Sequence, residues 1–148
     1  MDLEKAYDKI YRYAYFRVKN TAVAEDITQE TFLRFFAKNG TFHEYDMKYL
    51  YTIARNLCID EYRRVKPDEP LEEGTENEPS ADFPEESIIV RDALEKLTDE
   101  DREILLLRHV NEESVGTICR ALGISRFALY RKIKNAEEEL KNNLKEDE

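Results

Sequence analysis

The chain has 148 residues, a net charge of −10, and 38% charged residues with only four glycines and four prolines, which bounds it to one domain or two small ones and favours helix. No apolar run nears the roughly 18 residues that cross a membrane. The opening MDLEKAYDKI lacks an apolar signal core, so the expected compartment is the cytoplasm, with no membrane insertion. Cys58 and Cys119 fall in predicted helices of different segments and read as reduced packing residues rather than a disulfide.

In chain order, Leu3, Ala6, Tyr7, Ile10, Ala14 and Val18 recur at helical spacing. A second helix follows a cap at Asn20 or Thr21, turns Ala24, Ile27, Thr31, Phe32 and Phe35 inward, and ends at Asn39-Gly40. A loop with Phe42, His43, Glu44 and Tyr45 leads to a third helix from about Asp46 to Arg64. Its expected core face is Leu50, Ile53, Ala54, Leu57 and Cys58.

All four prolines then lie between residues 67 and 84, and Val65 to Glu86 holds nine acids against one lysine. With no helical period and little to bury, this stretch is expected to be a flexible, self-repelling linker. Fully extended it reaches about 70 Å. The expected division is therefore 1–65, an acidic linker 66–86, and 87–148.

Past the linker, Ser87–Leu97 reads as a helix, and Thr98 caps another whose first turn, Asp99, Glu100 and Asp101, suits a positive helix N-terminus. Ile104, Leu105 and Leu107 are its apolar residues, with Leu106 a candidate for a partner-facing position. Ser114 to Ala136 then contains Arg120, Arg126, Arg131, Lys132 and Lys134 and no acid, in a chain that is otherwise strongly acidic. Ile118, Leu122, Ile124, Leu129 and Ile133 mark two helices, Gly123 takes the turn between them, and Ser125 caps the second. That is a helix-turn-helix, and an acid-free basic helix suits DNA phosphates and base edges. The fold class is all-α: two small helical domains, the second a winged-helix-like four-helix unit without wing. No catalytic, metal or cofactor site is expected. His43 and His109 lie in different domains without partners at ligand spacing, and no phosphate loop or nucleophile elbow occurs.

Three segments in this order resemble the bacterial RNA polymerase sigma factors of the sigma-70 family, extracytoplasmic-function (ECF) type. They are AEDITQETFLRFFAK (Ala24 to Lys38), YLYTIARNLCIDEYRR (Tyr49 to Arg64) and the stretch from Leu94 to Leu140. The resemblance implies that 1–65 is region 2-like and 87–148 region 4-like. It implies core polymerase as partner, through the clamp coiled coil of the largest subunit and the flap of the other large subunit. Promoter DNA and an anti-sigma factor are the other partners implied.

Asp26, Gln29, Glu30, Phe32 and Arg34 match the family's polymerase-binding helix. For the minus-ten element, Phe42 and Asn56 are the expected base pocket, because a flipped base needs an apolar wall and a hydrogen-bonding edge. Tyr45 and Tyr49 border it, Tyr49 standing where the family usually has Trp. Lys48, Arg55, Arg63 and Arg64 are expected phosphate contacts. For the minus-thirty-five element, Arg126, Phe127, Tyr130 and Arg131 are expected at base edges, with Ser125, Lys132, Lys134 and Arg120 on the backbone. The alternatives are a stand-alone helix-turn-helix regulator, which has no need of the Ala24–Lys38 and Tyr49–Arg64 helices, and a sigma-like partner protein that does not initiate transcription.

Overall fold

The structure is a computed structural model that describes residues 2–64 and 85–146. The predicted linker, apart from Glu85 and Glu86, lies outside the described residues. Among the described residues there are seven α-helices and no strand. They form two compact units, one with α1–α3 and one with α4–α7.

In the first unit, α1 spans Leu3–Val18, α2 Thr21–Lys38 and α3 Met47–Arg64. The boundaries are set by short polar side chains. Asp2 Oδ1 accepts the Lys5 N–H at 2.8 Å, and Asn20 Oδ1 accepts the Val23 N–H at 2.9 Å, so each satisfies a donor that the first helical turn leaves open. α1 closes with Lys19 in the left-handed region at φ 55°, its N–H reaching Tyr15 O at 2.7 Å. Only Asn20 separates Lys19 from α2, so α1 and α2 must run back against each other.

The three helices pack pairwise. Ala6, Ala14, Ala24 and Ala54 are fully buried, and small residues at these positions let the helix backbones come close. Tyr13 and Tyr51 fill the centre edge to face, with ring centroids 5.3 Å apart. Buried Thr28 and Thr31 donate back to Ala24 O and Ile27 O, both at 2.7 Å, which removes the penalty of an unpaired hydroxyl. Periodicity misplaced part of this core. Tyr13, Tyr51 and Met47 are buried, while Ile53 and Leu57 are half-buried and Leu3 is exposed.

In the second unit, α4 spans Glu85–Glu95, α5 Asp99–Leu105, α6 Val115–Leu122 and α7 Arg126–Glu146. α4 thus begins two residues before the Ser87 expected from the sequence. Thr98 caps α5 through the Asp101 N–H at 3.2 Å. After Leu105 the backbone widens into a π-type turn over Leu106–Val110, closed by Asn111 N–H to Leu106 O at 2.9 Å. This turn points Leu106 and Leu107 into the core. Leu106 is therefore a packing residue and not a partner-facing one.

Glu112 then takes the left-handed region at φ 53°, and Ser114 caps α6 through the Thr117 N–H at 3.1 Å. α6 ends at Gly123, φ 69°, whose N–H bonds Cys119 O at 2.8 Å, and Ser125 caps α7 through the Ala128 N–H at 3.1 Å. Ile104, Leu107, Ile118 and Leu129 are fully buried between the helices. α7 runs on past the corner so that Ala136 and Leu140 pack with Leu94, Leu97 and Leu105, and Asn143 Nδ2 donates to Ala93 O at 3.0 Å. Both cysteines are free thiols.

Two substitutions test these boundaries. Gly123→Ala should destabilise the α4–α7 unit by about 1 kcal/mol, because a Cβ at positive φ is strained and the gain from a stiffer unfolded chain offsets only part of that. Asn20→Ala should cost the α1–α3 unit about 1 kcal/mol. Urea unfolding of the full chain followed by circular dichroism measures both, and an unchanged midpoint for either variant contradicts the corresponding assignment.

Candidate nucleic-acid and partner interfaces

The outer face of α2 carries the first group. Asp26 and Gln29 are exposed, and Glu30 pairs with Arg34 along the helix at 2.8 Å. Both partners are near half exposed, a geometry worth a few tenths of a kcal/mol. Phe32, placed with this set from the sequence, is buried at 9% and stacks on Tyr7 with centroids 5.5 Å apart. It turns inward because α1 lies over that side of α2, so it supports the face from below rather than projecting from it.

The apolar surface here belongs to residues that the sequence reading passed over. Leu33 is 67% exposed and Phe36 38% exposed, and with Tyr7, Gln29 and Phe32 they line one open hollow. Asp26, Gln29, Leu33 and Phe36 recur at helical spacing on one face. The available signal was that α2 carries apolar residues nearly all the way round, more than one core contact needs.

The second group is the loop before α3 and the helix itself. A short 3₁₀ turn, Glu44–Asp46, is held by two reciprocal bonds, His43 N–H to Asp46 Oδ2 and Asp46 N–H to His43 O, both 2.8 Å. Phe42 anchors its start edge-on against Phe35 at 6.2 Å and is half-buried. Phe42 is thus a strut under the loop, while Tyr45 stands 74% exposed above it.

On α3, Tyr49, Thr52, Asn56 and Arg63 are all exposed and share one face, with Lys48 and Arg55 on the adjacent stripe. Lys48 Nζ sits over the Tyr49 ring at 4.7 Å, which holds the ring and its charge together. Thr52 was missed by sequence reading; its hydroxyl bonds Lys48 O at 2.9 Å. Arg64 is fork-bonded to Glu61 at 2.7 and 3.2 Å, and these bonds raise its pKa above the ordinary guanidinium value. Its charge is partly answered within the helix, unlike the free phosphate contact expected.

The third group is the helix-turn-helix. Phe127 (84% exposed), Tyr130 (56%), Arg131 and Lys134 share the outer face of α7, and Leu129 is wholly buried on the opposite side. Lys132 leaves that face: it pairs with Glu100 of α5 and is half-buried. Farther along, His109 and Glu137 bond at 2.8 Å, tying the π-type turn to α7. Ser125 is occupied as the α7 cap, and Arg120 is exposed on α6, bonded to Thr117 Oγ1 at 3.4 Å.

Two helical units, one with an aromatic and basic helix face and the other a helix-turn-helix, define the class of protein. Residues 3–67 match the family described as Sigma-70 region 2, and residues 87–140 match Sigma-70, region 4. The chain is 31% identical to the ECF RNA polymerase sigma factor SigW of Bacillus subtilis, over 94% of this chain and 84% of that protein. It is 33% identical to the ECF RNA polymerase sigma factor BldN of Streptomyces coelicolor over 82% of this chain, spanning only about half (51%) of BldN. The fold matches the sigma factor RpoE of Bartonella quintana, solved with the anti-sigma factor NepR, at a TM-score of 0.74 and 21% identity, covering 99% of this chain and 96% of that one. The chain belongs to the sigma-70 family of RNA polymerase sigma factors, in its ECF group.

The different settings of the aromatics are separable by stability. Phe42→Ala should destabilise the α1–α3 unit by about 1 kcal/mol or more through the lost ring contact, while Phe127→Ala should leave stability within about 0.5 kcal/mol. Urea titration of the full chain distinguishes them; equal effects contradict the strut assignment.

Proposed function

We propose that this protein is an alternative sigma factor that joins core RNA polymerase, directs it to a limited set of promoters, and supports melting and initiation. The observation that carries the reading is a basic, acid-free recognition face on a chain of net charge −10, within a family match that extends over both helical units. An acidic protein binds DNA poorly on its own, so promoter binding would be conditional on assembly with polymerase. A stand-alone regulator has no use for the α1–α3 unit and is set aside.

On this reading the α2 face, with Asp26, Gln29, Glu30, Leu33 and Phe36, docks on the clamp coiled coil of the largest subunit. Tyr45, Tyr49, Thr52 and Asn56 hold unstacked bases of the minus-ten strand, where aromatic rings offer stacking and the amide offers an edge. Lys48, Arg55 and Arg63 steady the backbone. The face of Phe127, Tyr130, Arg131 and Lys134 enters the major groove at the minus-thirty-five element. The protein performs no chemistry itself; polymerase makes the bonds. It works in the cytoplasm, and no described helix is long and apolar enough to cross a membrane. An anti-sigma factor is the expected inhibitor.

The test is co-elution with bacterial core polymerase on a sizing column. Stoichiometric binding is expected for the wild type. Asp26→Ala with Gln29→Ala should weaken it by about 1–3 kcal/mol and Leu33→Asp by at least as much. A folded wild-type protein that does not co-elute sinks the reading. On promoter duplex, Arg131→Ala should lose about 1–3 kcal/mol at one base pair only; an equal loss on every sequence would mark Arg131 as a backbone contact.

A further inference from the structure

Phe127 is the most exposed large apolar side chain among the described residues, at 84%. It is the second residue of α7, whose first turn is fixed by the Ser125 cap on the Ala128 N–H at 3.1 Å. Leu129, two residues on, is wholly buried. Two residues turn a helix by about 200°, so the core packing of Leu129 holds Phe127 on the opposite, outward side. Tyr130 follows on the same face, about 4.5 Å farther along the axis. Arg131 and Lys134 lie beside and beyond it, and α7 holds no acid before Glu137.

We propose that Phe127 reads the 5-methyl group of a thymine in the upstream promoter element, and is a specificity-determining residue of this chain. The inference rests on the promoter-binding reading above and deepens it, by naming the base that the helix selects. A phenyl ring has no donor and no acceptor, so it can recognise a base pair only through an apolar group. In the major groove the thymine methyl is that group; the other distinguishing features there are hydrogen-bond donors and acceptors. A bare ring set against those polar edges would displace their water and return no hydrogen bond. Deoxyribose carbon is apolar too, but it lies along the backbone, whereas the N-terminal residues of a recognition helix meet base edges. Arg131 and Lys134 on the same face supply the attraction to the polyanion, which is blind to sequence. The ring adds a contact that depends on the base.

The experiment uses the full chain assembled with core polymerase and a duplex that the wild-type holoenzyme selects from random sequence. Each thymine of the upstream element, on either strand, is replaced in turn by deoxyuridine. That exchange removes the methyl group and keeps the pairing and every hydrogen-bonding group. At one position it should weaken wild-type binding about threefold to tenfold, the size of one buried methyl group.

Phe127→Ala should lose at least that factor on the thymine duplex. It should then be indifferent to deoxyuridine at the same position, because ring and methyl act as one contact. The loss should vanish on a duplex with the upstream element shuffled. The salt slope should stay that of the wild type, since no phosphate contact is given up.

Deoxyuridine effects equal in wild type and Phe127→Ala at every position would overturn the inference, as would an upstream element selected with no thymine on either strand. An equal Phe127→Ala loss on the shuffled element, or a smaller salt slope, would mark a backbone contact and overturn it too. Failure of Phe127→Ala to join core polymerase would make the ring a protein contact, with the same result. If the wild-type holoenzyme binds no duplex, the promoter-binding reading and this inference fall together. If it binds and Phe127→Ala matches it on every duplex, only the Phe127 assignment falls.

Discussion

The corner at Gly123 is the constraint on which the arrangement of the second unit depends. Its positive φ of 69° stops α6 after two turns and swings the chain directly into the Ser125 cap of α7. A side chain in the left-handed region costs about 1 kcal/mol, which glycine avoids here and which Lys19 and Glu112 bear elsewhere in the chain. Everything chemical in this unit follows from that change of direction. It buries Ile118 and Leu129 against the same core, faces Phe127, Tyr130 and Arg131 outward, and brings Arg120 and Arg126 over Gly116.

Charge is organised around the same corner. The chain carries 33 acidic residues against 23 lysines and arginines, yet none of the acids lies in the recognition segment. Two pairs tie α7 to its neighbours: Glu100 of α5 holds Lys132, and Glu137, on α7 beyond the acid-free segment, bonds His109 of the π-type turn. These contacts brace the recognition helix from behind while its outer face keeps its positive residues. Exposed pairs of this kind contribute little to stability.

In the first unit the equivalent organising contact is aromatic. Tyr13 on Tyr51 fills the centre, and Tyr7, Phe32, Phe36, Phe35 and Phe42 form successive ring contacts out to the loop. The loop is therefore held from below by Phe42 and from within by the reciprocal His43–Asp46 bonds, with Tyr45 exposed above it. A site for unstacked bases needs a rigid rim, because disorder in the rim would oppose capture.

Much of this was legible in the sequence, and the divisions between readable and unreadable have plain causes. Caps, turns and amphipathic period are local properties. Asn20, Thr98, Ser125 and Gly123 announced the helix ends, and the acid-free segment announced the basic face, because each depends on a few neighbouring residues. The direction of a ring or a charge relative to another helix is not local. Helical period turned Phe32 inward, but it cannot say that the ring stacks on Tyr7, that Tyr51 rather than Leu57 reaches the centre, or that Lys132 meets Glu100 from α5. Sequence by itself determined an all-α chain of two units and the residue types available at each surface. The tertiary structure decided which of those residues are struts and which are contacts, because burial and pairing are set by helices brought together from distant parts of the chain.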